Sequence, residues 1–130
     1  MYSTEFKQNL EEIKKTKQFS IKHLKYFIDE FSERFWKALR KVLEKGVKKY
    51  VFKPSNRIAW IVVGNTRDYL ILSDLYCPCE DFYVKVVIKK TVKMCYHLLA
   101  KILADSLDFY DEIPIEDERY DDLMRDWKQF

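Results

Sequence analysis

Cys77-Pro78-Cys79, fifteen intervening residues, then Cys95-Tyr96-His97: all three cysteines and one of the two histidines of this 130-residue chain fall in one pattern. Zinc takes four tetrahedral ligands drawn from thiolate and imidazole, and three Cys plus one His make a closed set with no position left for water. In an extended segment Cys77 and Cys79 point to one face, and Pro78 fixes the backbone between them. Cys95 and His97 obey a different rule. Two positions apart inside a helix they would diverge by about 200°. Cys95 must therefore sit at or just before a helix start, with His97 in the first turn, near the positive end of the helix dipole, which favours thiolate. The plain alternative, small buried cysteines and an ordinary helix histidine, leaves the spacing unexplained. A redox dithiol lacks the usual two-residue spacer and leaves Cys95 and His97 idle. One Zn²⁺ of structural type is the expected cofactor, although iron can occupy a thiolate-rich site during expression.

Upstream of the pattern, Tyr50-Val51-Phe52, Ile58 to Val63 and Tyr69 to Leu72 are β-branched, aromatic and aliphatic runs bounded by turn residues, hence strands. Gly64 to Asp68 reads as a hairpin connection, with Gly64 and Asn65 suited to positive φ. Downstream, Leu99, Ile102, Leu103 and Leu107 mark one face of a helix running from about Cys95 to Phe109. Ala100, three residues after His97, is small enough to let that helix approach the metal-bearing hairpin. Pro114 breaks the chain, and Tyr120, Leu123, Met124, Trp127 and Phe130 return at helical spacing.

Toward the N-terminus, Phe6, Leu10 and Ile13 predict a short amphipathic helix capped by Ser3 or Thr4. From Ser20 the apolar residues recur every three or four positions as far as Leu43, with Gly46 as the stop, so the reading is one helix of about 26 residues, roughly 39 Å long. That is more apolar stripe than so small a domain needs, and Phe31, Phe35, Trp36 and Leu39 become candidate partner contacts, with Tyr120, Leu123 and Trp127 as a second set. His23 is expected at an exposed rim. The whole is one domain over 1–130, with a helical region at 1–46 and an acidic amphipathic tail at 112–130.

Composition narrows the function. At 48% hydrophobic and 35% charged the chain has apolar mass for a core, which excludes a disordered tail, and no apolar run reaches the roughly 18 residues of a membrane span. The first residues lack a secretory signal, and an odd cysteine count argues against a disulfide framework, so an intracellular protein is expected, cytoplasmic in a prokaryote or nuclear in a eukaryote. The net charge of +3 hides an asymmetry: residues 1–60 carry +8 and residues 105–130 carry −7. A basic half can meet nucleic acid, with Lys14, Lys15, Lys48, Lys49, Lys89 and Lys90 as candidate contacts, while an acidic tail can neutralise it in cis or dock elsewhere. No Gly-rich phosphate loop or nucleophile elbow is present, and a metal with four protein ligands has no vacancy for water, so no catalytic residue is assigned.

The pattern Cys-x-Cys…Cys-x-His, preceded by a strand hairpin and followed by a helix, resembles the SWIM zinc finger, and the resemblance covers about residues 58–108. Cys77-Pro78-Cys79-Glu80-Asp81-Phe82 and Cys95-Tyr96-His97-Leu98-Leu99-Ala100 are similar to the SWIM subunits of Shu-type complexes, although many relatives have a basic residue where this chain has Tyr96. Three Asn and three Gln beside abundant Lys, Glu, Ile and Tyr resemble the composition of a heat-adapted protein, and the expected member of the family is an archaeal one. The resemblance implies an α+β fold: N-terminal helices, a small antiparallel sheet or hairpin, a zinc-stabilised ββα finger and a C-terminal amphipathic helix. It also implies a homologous-recombination accessory factor that pairs, as a heteromer, with a RecA-family recombinase paralogue, contacts DNA through the complex or directly, and self-associates when alone.

Overall fold

The computed structural model describes residues 2–72, 77 and 94–128. Three helices open the chain: α1 (Thr4–Thr16), α2 (Ile21–Phe31) and α3 (Glu33–Leu43). Ser3 caps α1 by accepting from Phe6 N–H at 3.1 Å, and Ser20 caps α2 by accepting from His23 N–H at 3.4 Å. The single helix expected from Ser20 to Gly46 is therefore two, broken at Ser32 with φ 53° and ψ −125°. The reason is aromatic packing. In a straight helix Phe27 and Phe35 would stand about 12 Å apart along the axis. Here their ring centroids are 5.7 Å apart, and Phe19 and Phe6 close on Phe27 at 5.5 and 5.9 Å. The chain end of α3 is a Schellman turn, with Lys45 N–H donating to Val42 and Gly46 N–H to Lys41. Its left-handed residue is Lys45, one position before the glycine read as the stop.

Four strands follow: β1 (Val47–Lys53), β2 (Arg57–Val63), β3 (Asp68–Ile71) and, after helix α4 (Tyr96–Leu107), β4 (Asp111–Glu116). The sheet order is β3-β2-β1-β4. β2 pairs antiparallel with β1 and β3, but β4 lies parallel to β1, so the sheet is mixed rather than wholly antiparallel. Pro114, read as a break, sits inside β4 opposite Val51. An edge strand accommodates it because the missing N–H can belong to the unpaired side. The β2–β3 connection also departs from expectation, since no described glycine has positive φ and Asn65 does not either. Gly64 is required there by contact: a Cβ would lie 2.7 Å from the Tyr69 ring and closer still to the Arg67 carbonyl oxygen.

Alternation along β2 divides the core in two. Trp60 and Val62 join Val47, Ile71 and the helices α1 to α4 on one face, while Ala59 and Ile61 join Phe52 and Leu70 on the other. That second face is covered by the chain's own tail, a 3₁₀ turn (Asp117–Arg119) and helix α5 (Tyr120–Trp127). No helix among the described residues is long and apolar enough to cross a membrane.

Candidate metal centre

Cys95 is the N-cap of α4, in extended backbone conformation, with Leu98 N–H donating to its Sγ at 3.5 Å. His97 follows in the first turn. This is the arrangement that the two-residue spacing demands, because the cap residue lies outside the helical rotation and can turn back toward its neighbour. Cys77 arrives from beyond β3. One donor atom each from Cys77, Cys95 and His97 lies within 4.8 Å of the other two, and all three residues are buried, at 1%, 0% and 7% exposure. Two thiolates about 2.3 Å from a tetrahedral zinc stand about 3.8 Å apart, so the trio is spaced for one ion. Cys79, the fourth candidate ligand, lies outside the described residues.

The donor set passes a second, independent test. Nδ1 of His97 is buried with no hydrogen-bond partner. An orphaned ring nitrogen in a dry site costs about 1–3 kcal/mol, a cost that a metal bond at Nδ1 itself would relieve. Two aromatic rings hold the imidazole, Tyr69 of β3 at 4.4 Å and Tyr96 at 4.0 Å between centroids. Neither tyrosine is identified by the sequence pattern. Tyr96 was visible only as the residue between two ligands, and Tyr69 is 28 positions from His97 with nothing local to link them. Ala100 is fully buried in α4, in the same cluster as Cys77, Met94 and Cys95.

The other candidate residues scatter. Phe35 and Trp127 are buried, at 0% and 7% exposure, so neither can meet a partner in this fold: Phe35 fills the aromatic core and Trp127 packs on Tyr50 at 4.9 Å. Phe31 and Leu39 are half-buried against the main core, and Tyr120 and Leu123 against the second. The tail is consumed in cis because its apolar stripe is the only cover for that sheet face among the described residues. Trp36 alone of the set is exposed, at 52%. Lys14 and Lys15 sit exposed at the end of α1. Lys48 pairs with Asp111 at 2.6 Å and Lys49 with Glu112 at 3.9 Å, while Lys89 and Lys90 lie outside the described residues. His23 is buried, not at a rim. Its Nδ1 accepts from Ser20 N–H at 3.2 Å, so Nε2 carries the hydrogen donated to Glu12 at 3.1 Å.

Comparison with known proteins agrees with the donor set. The chain is 29% identical over 97 residues to the Zinc finger SWIM domain-containing protein 7 homolog of Dictyostelium discoideum, covering 73% of this chain and 61% of that protein. It is 32% identical over 76 residues to Zinc finger SWIM domain-containing protein 7 of Danio rerio, covering 57% and 54%. The chain thus spans somewhat more than half the length of these relatives. No family model and no solved structure matches. Two SWIM-domain relatives and a buried Cys/His cluster suited to zinc together support a zinc-finger protein of SWIM type.

Proposed function

We propose that this protein is a non-catalytic zinc-binding adaptor of homologous recombination and DNA repair, which pairs with a RecA-family recombinase paralogue and promotes recombinase filament function. The observation that carries the non-catalytic part is the burial of all three described donors. A metal held there by Cys77, Cys79, Cys95 and His97 would tie the N-terminus of α4 to the segment leaving β3, and four protein ligands would leave it no open coordination position for a substrate. One ion per chain is the expected stoichiometry. The recombination part is supported by the likeness of the two cysteine segments to Shu-type SWIM subunits, and by the exposure of Trp36 and Leu43 on α3.

Native mass spectrometry with elemental analysis, on the chain alone and co-expressed with recombinase paralogues, tests both parts. One zinc per chain and a stable heteromer are expected. Cys95→Ser and His97→Ala should each lose the zinc, and a chain purified without metal or unchanged by both substitutions would overturn the metal assignment. The alternative, direct binding of single-stranded or duplex DNA, draws on the exposed Lys14 and Lys15. It predicts affinity that falls steeply as salt rises. Lys48 and Lys49 already face carboxylates of β4, which reduces the charge available for phosphate.

A further inference from the structure

His97 has two ring nitrogens, and the fold treats them differently. Nδ1 is buried with no hydrogen-bond partner, while Nε2 is not stranded in this way. Neutral imidazole, the form that binds a metal, offers one bare nitrogen as the ligand and carries a hydrogen on the other. Metal-bound histidines almost always donate that remaining hydrogen to an oxygen acceptor or to water. Coordination through Nε2 would put the hydrogen on Nδ1, where neither an acceptor nor solvent reaches it. Coordination through Nδ1 removes the orphan and leaves the hydrogen on Nε2. The short spacing agrees. Nδ1 is bonded directly to Cγ and is the nitrogen nearer the backbone, and the sulfur of Cys95, two residues back, is held at the same first turn by Leu98 N–H at 3.5 Å.

Packing decides whether that nitrogen stays in place. The χ2 torsion of histidine is broad and roughly two-fold, so an unrestrained imidazole can turn over and exchange Nδ1 for a carbon. Here the ring lies against Tyr69 of β3, with centroids 4.4 Å apart and planes at 39°, and against Tyr96, with centroids 4.0 Å apart and planes at 49°. Each tyrosine is held in turn by a cation over its ring, Arg67 at 5.3 Å from Tyr69 and Lys37 of α3 at 5.9 Å from Tyr96. Turning the imidazole over inside this packing would require both rings to move. The restraint comes from the flat ring faces. Phenylalanine should therefore reproduce it, and leucine, apolar but not flat, should not.

We infer that His97 takes its metal through Nδ1, with the hydrogen on Nε2, and that Tyr69 and Tyr96 are the positioning residues that present that nitrogen. The inference rests on the zinc-binding reading above, and its test separates the two. Zinc is added to the full chain carrying isotope-labelled histidine, and long-range proton–nitrogen correlations of the rings are recorded. The Cδ2 hydrogen couples strongly to Nε2 and weakly to Nδ1, which tells the nitrogens apart. His23, whose Nε2 hydrogen goes to Glu12, is the internal reference. For His97 the expected pattern is a hydrogen on Nε2 and, with a spin-active cadmium isotope in place of zinc, a metal coupling to Nδ1. Tyr69→Leu and Tyr96→Leu should each weaken zinc by about 10-fold in a chelator competition and give His97 a second set of ring signals. Tyr69→Phe and Tyr96→Phe should keep both properties of the wild type. Leucine variants that lower only the unfolding midpoint, with zinc affinity and ring signals unchanged, would overturn the positioning role. A metal coupling to Nε2 would overturn the nitrogen assignment and leave the zinc reading intact. His97 signals that zinc does not move would overturn both.

Discussion

Gly64 shows how one backbone position can govern the candidate metal centre without touching it. A methyl group there would meet the carbonyl oxygen of Arg67, which cannot move without opening the turn, and the ring of Tyr69 at 2.7 Å. Tyr69 is one of the two rings that lie against His97, 4.4 Å away between centroids. Gly64→Ala should therefore cost about 1–3 kcal/mol as overpacking and loosen zinc as well. Thermal unfolding and a competitive zinc chelator read the two effects separately, and a variant with wild-type values of both would disprove the link. His23 is a second residue whose role lies in its contacts. It completes a capping box with Ser20 and joins α2 to Glu12 of α1, so His23→Ala should destabilise by roughly 1 kcal/mol or more, visible as a lowered midpoint in urea. Its neighbours in sequence, Lys22 and Leu24, say nothing of this. A histidine on a helix looks exposed until the partner eleven positions earlier is known to fold against it.

At the scale of elements, what was legible followed periodicity, and what was not followed tertiary demand. The continuous apolar, β-branched and aromatic run of Ile58 to Val63 and the three-and-four recurrence after Cys95 each appear as the strand and helix they imply. The Cys95 cap was legible too, because two ligands on one helix leave few geometries. Strand β4 was hidden behind Pro114, since a proline argues against a strand unless the strand is known to lie on an edge. The break at Ser32 was hidden for the opposite reason. The apolar recurrence from Ile21 to Leu43 runs through it without a fault, and only the convergence of Phe27 on Phe35 shows that the helix must fold back. Ser32 has a conformation, φ 53° and ψ −125°, that L side chains adopt at a cost, and its side chain makes no cap bond. Ser32→Gly should thus raise stability by about 1 kcal/mol. Ser32→Ala should not. If glycine instead destabilises, the corner between α2 and α3 is not strained at Ser32.

On the whole-molecule scale, the charge asymmetry of the chain is spent on holding its ends together. The acidic final quarter meets the basic first half at Lys48–Asp111, Lys49–Glu112 and Arg57–Asp117. Asp117 also accepts from Ser55 Oγ at 2.7 Å and from Ser55 N–H at 3.0 Å, pinning the entry of α5 to the β1–β2 turn. These bonds hold the Asp117 carboxyl below its ordinary value, Ser55 being the largest cause, and the Lys48 ammonium does the same for Asp111. At the other end of the molecule Lys22 and then His23 lower Glu12. A carboxyl with a depressed folded pKa adds stability above its unfolded pKa, and that stability disappears as pH falls through the folded value. The window therefore opens near pH 4.5 for Glu12 and near 3.8 for the two aspartates, and extends downward. Because two of the three tie β4 and the tail to the sheet, acid should release that layer and expose Trp127, whose indole then reports by fluorescence. Asp117→Asn should lower the urea midpoint at neutral pH while converging on the wild type in acid, since the wild-type carboxyl is protonated there. Midpoints measured for both proteins between about pH 3 and 7 decide it: curves that stay parallel throughout would mean that Asp117 carries none of the acid sensitivity, and that the tail is held by its other contacts, the packing of Tyr120, Leu123, Met124 and Trp127 foremost.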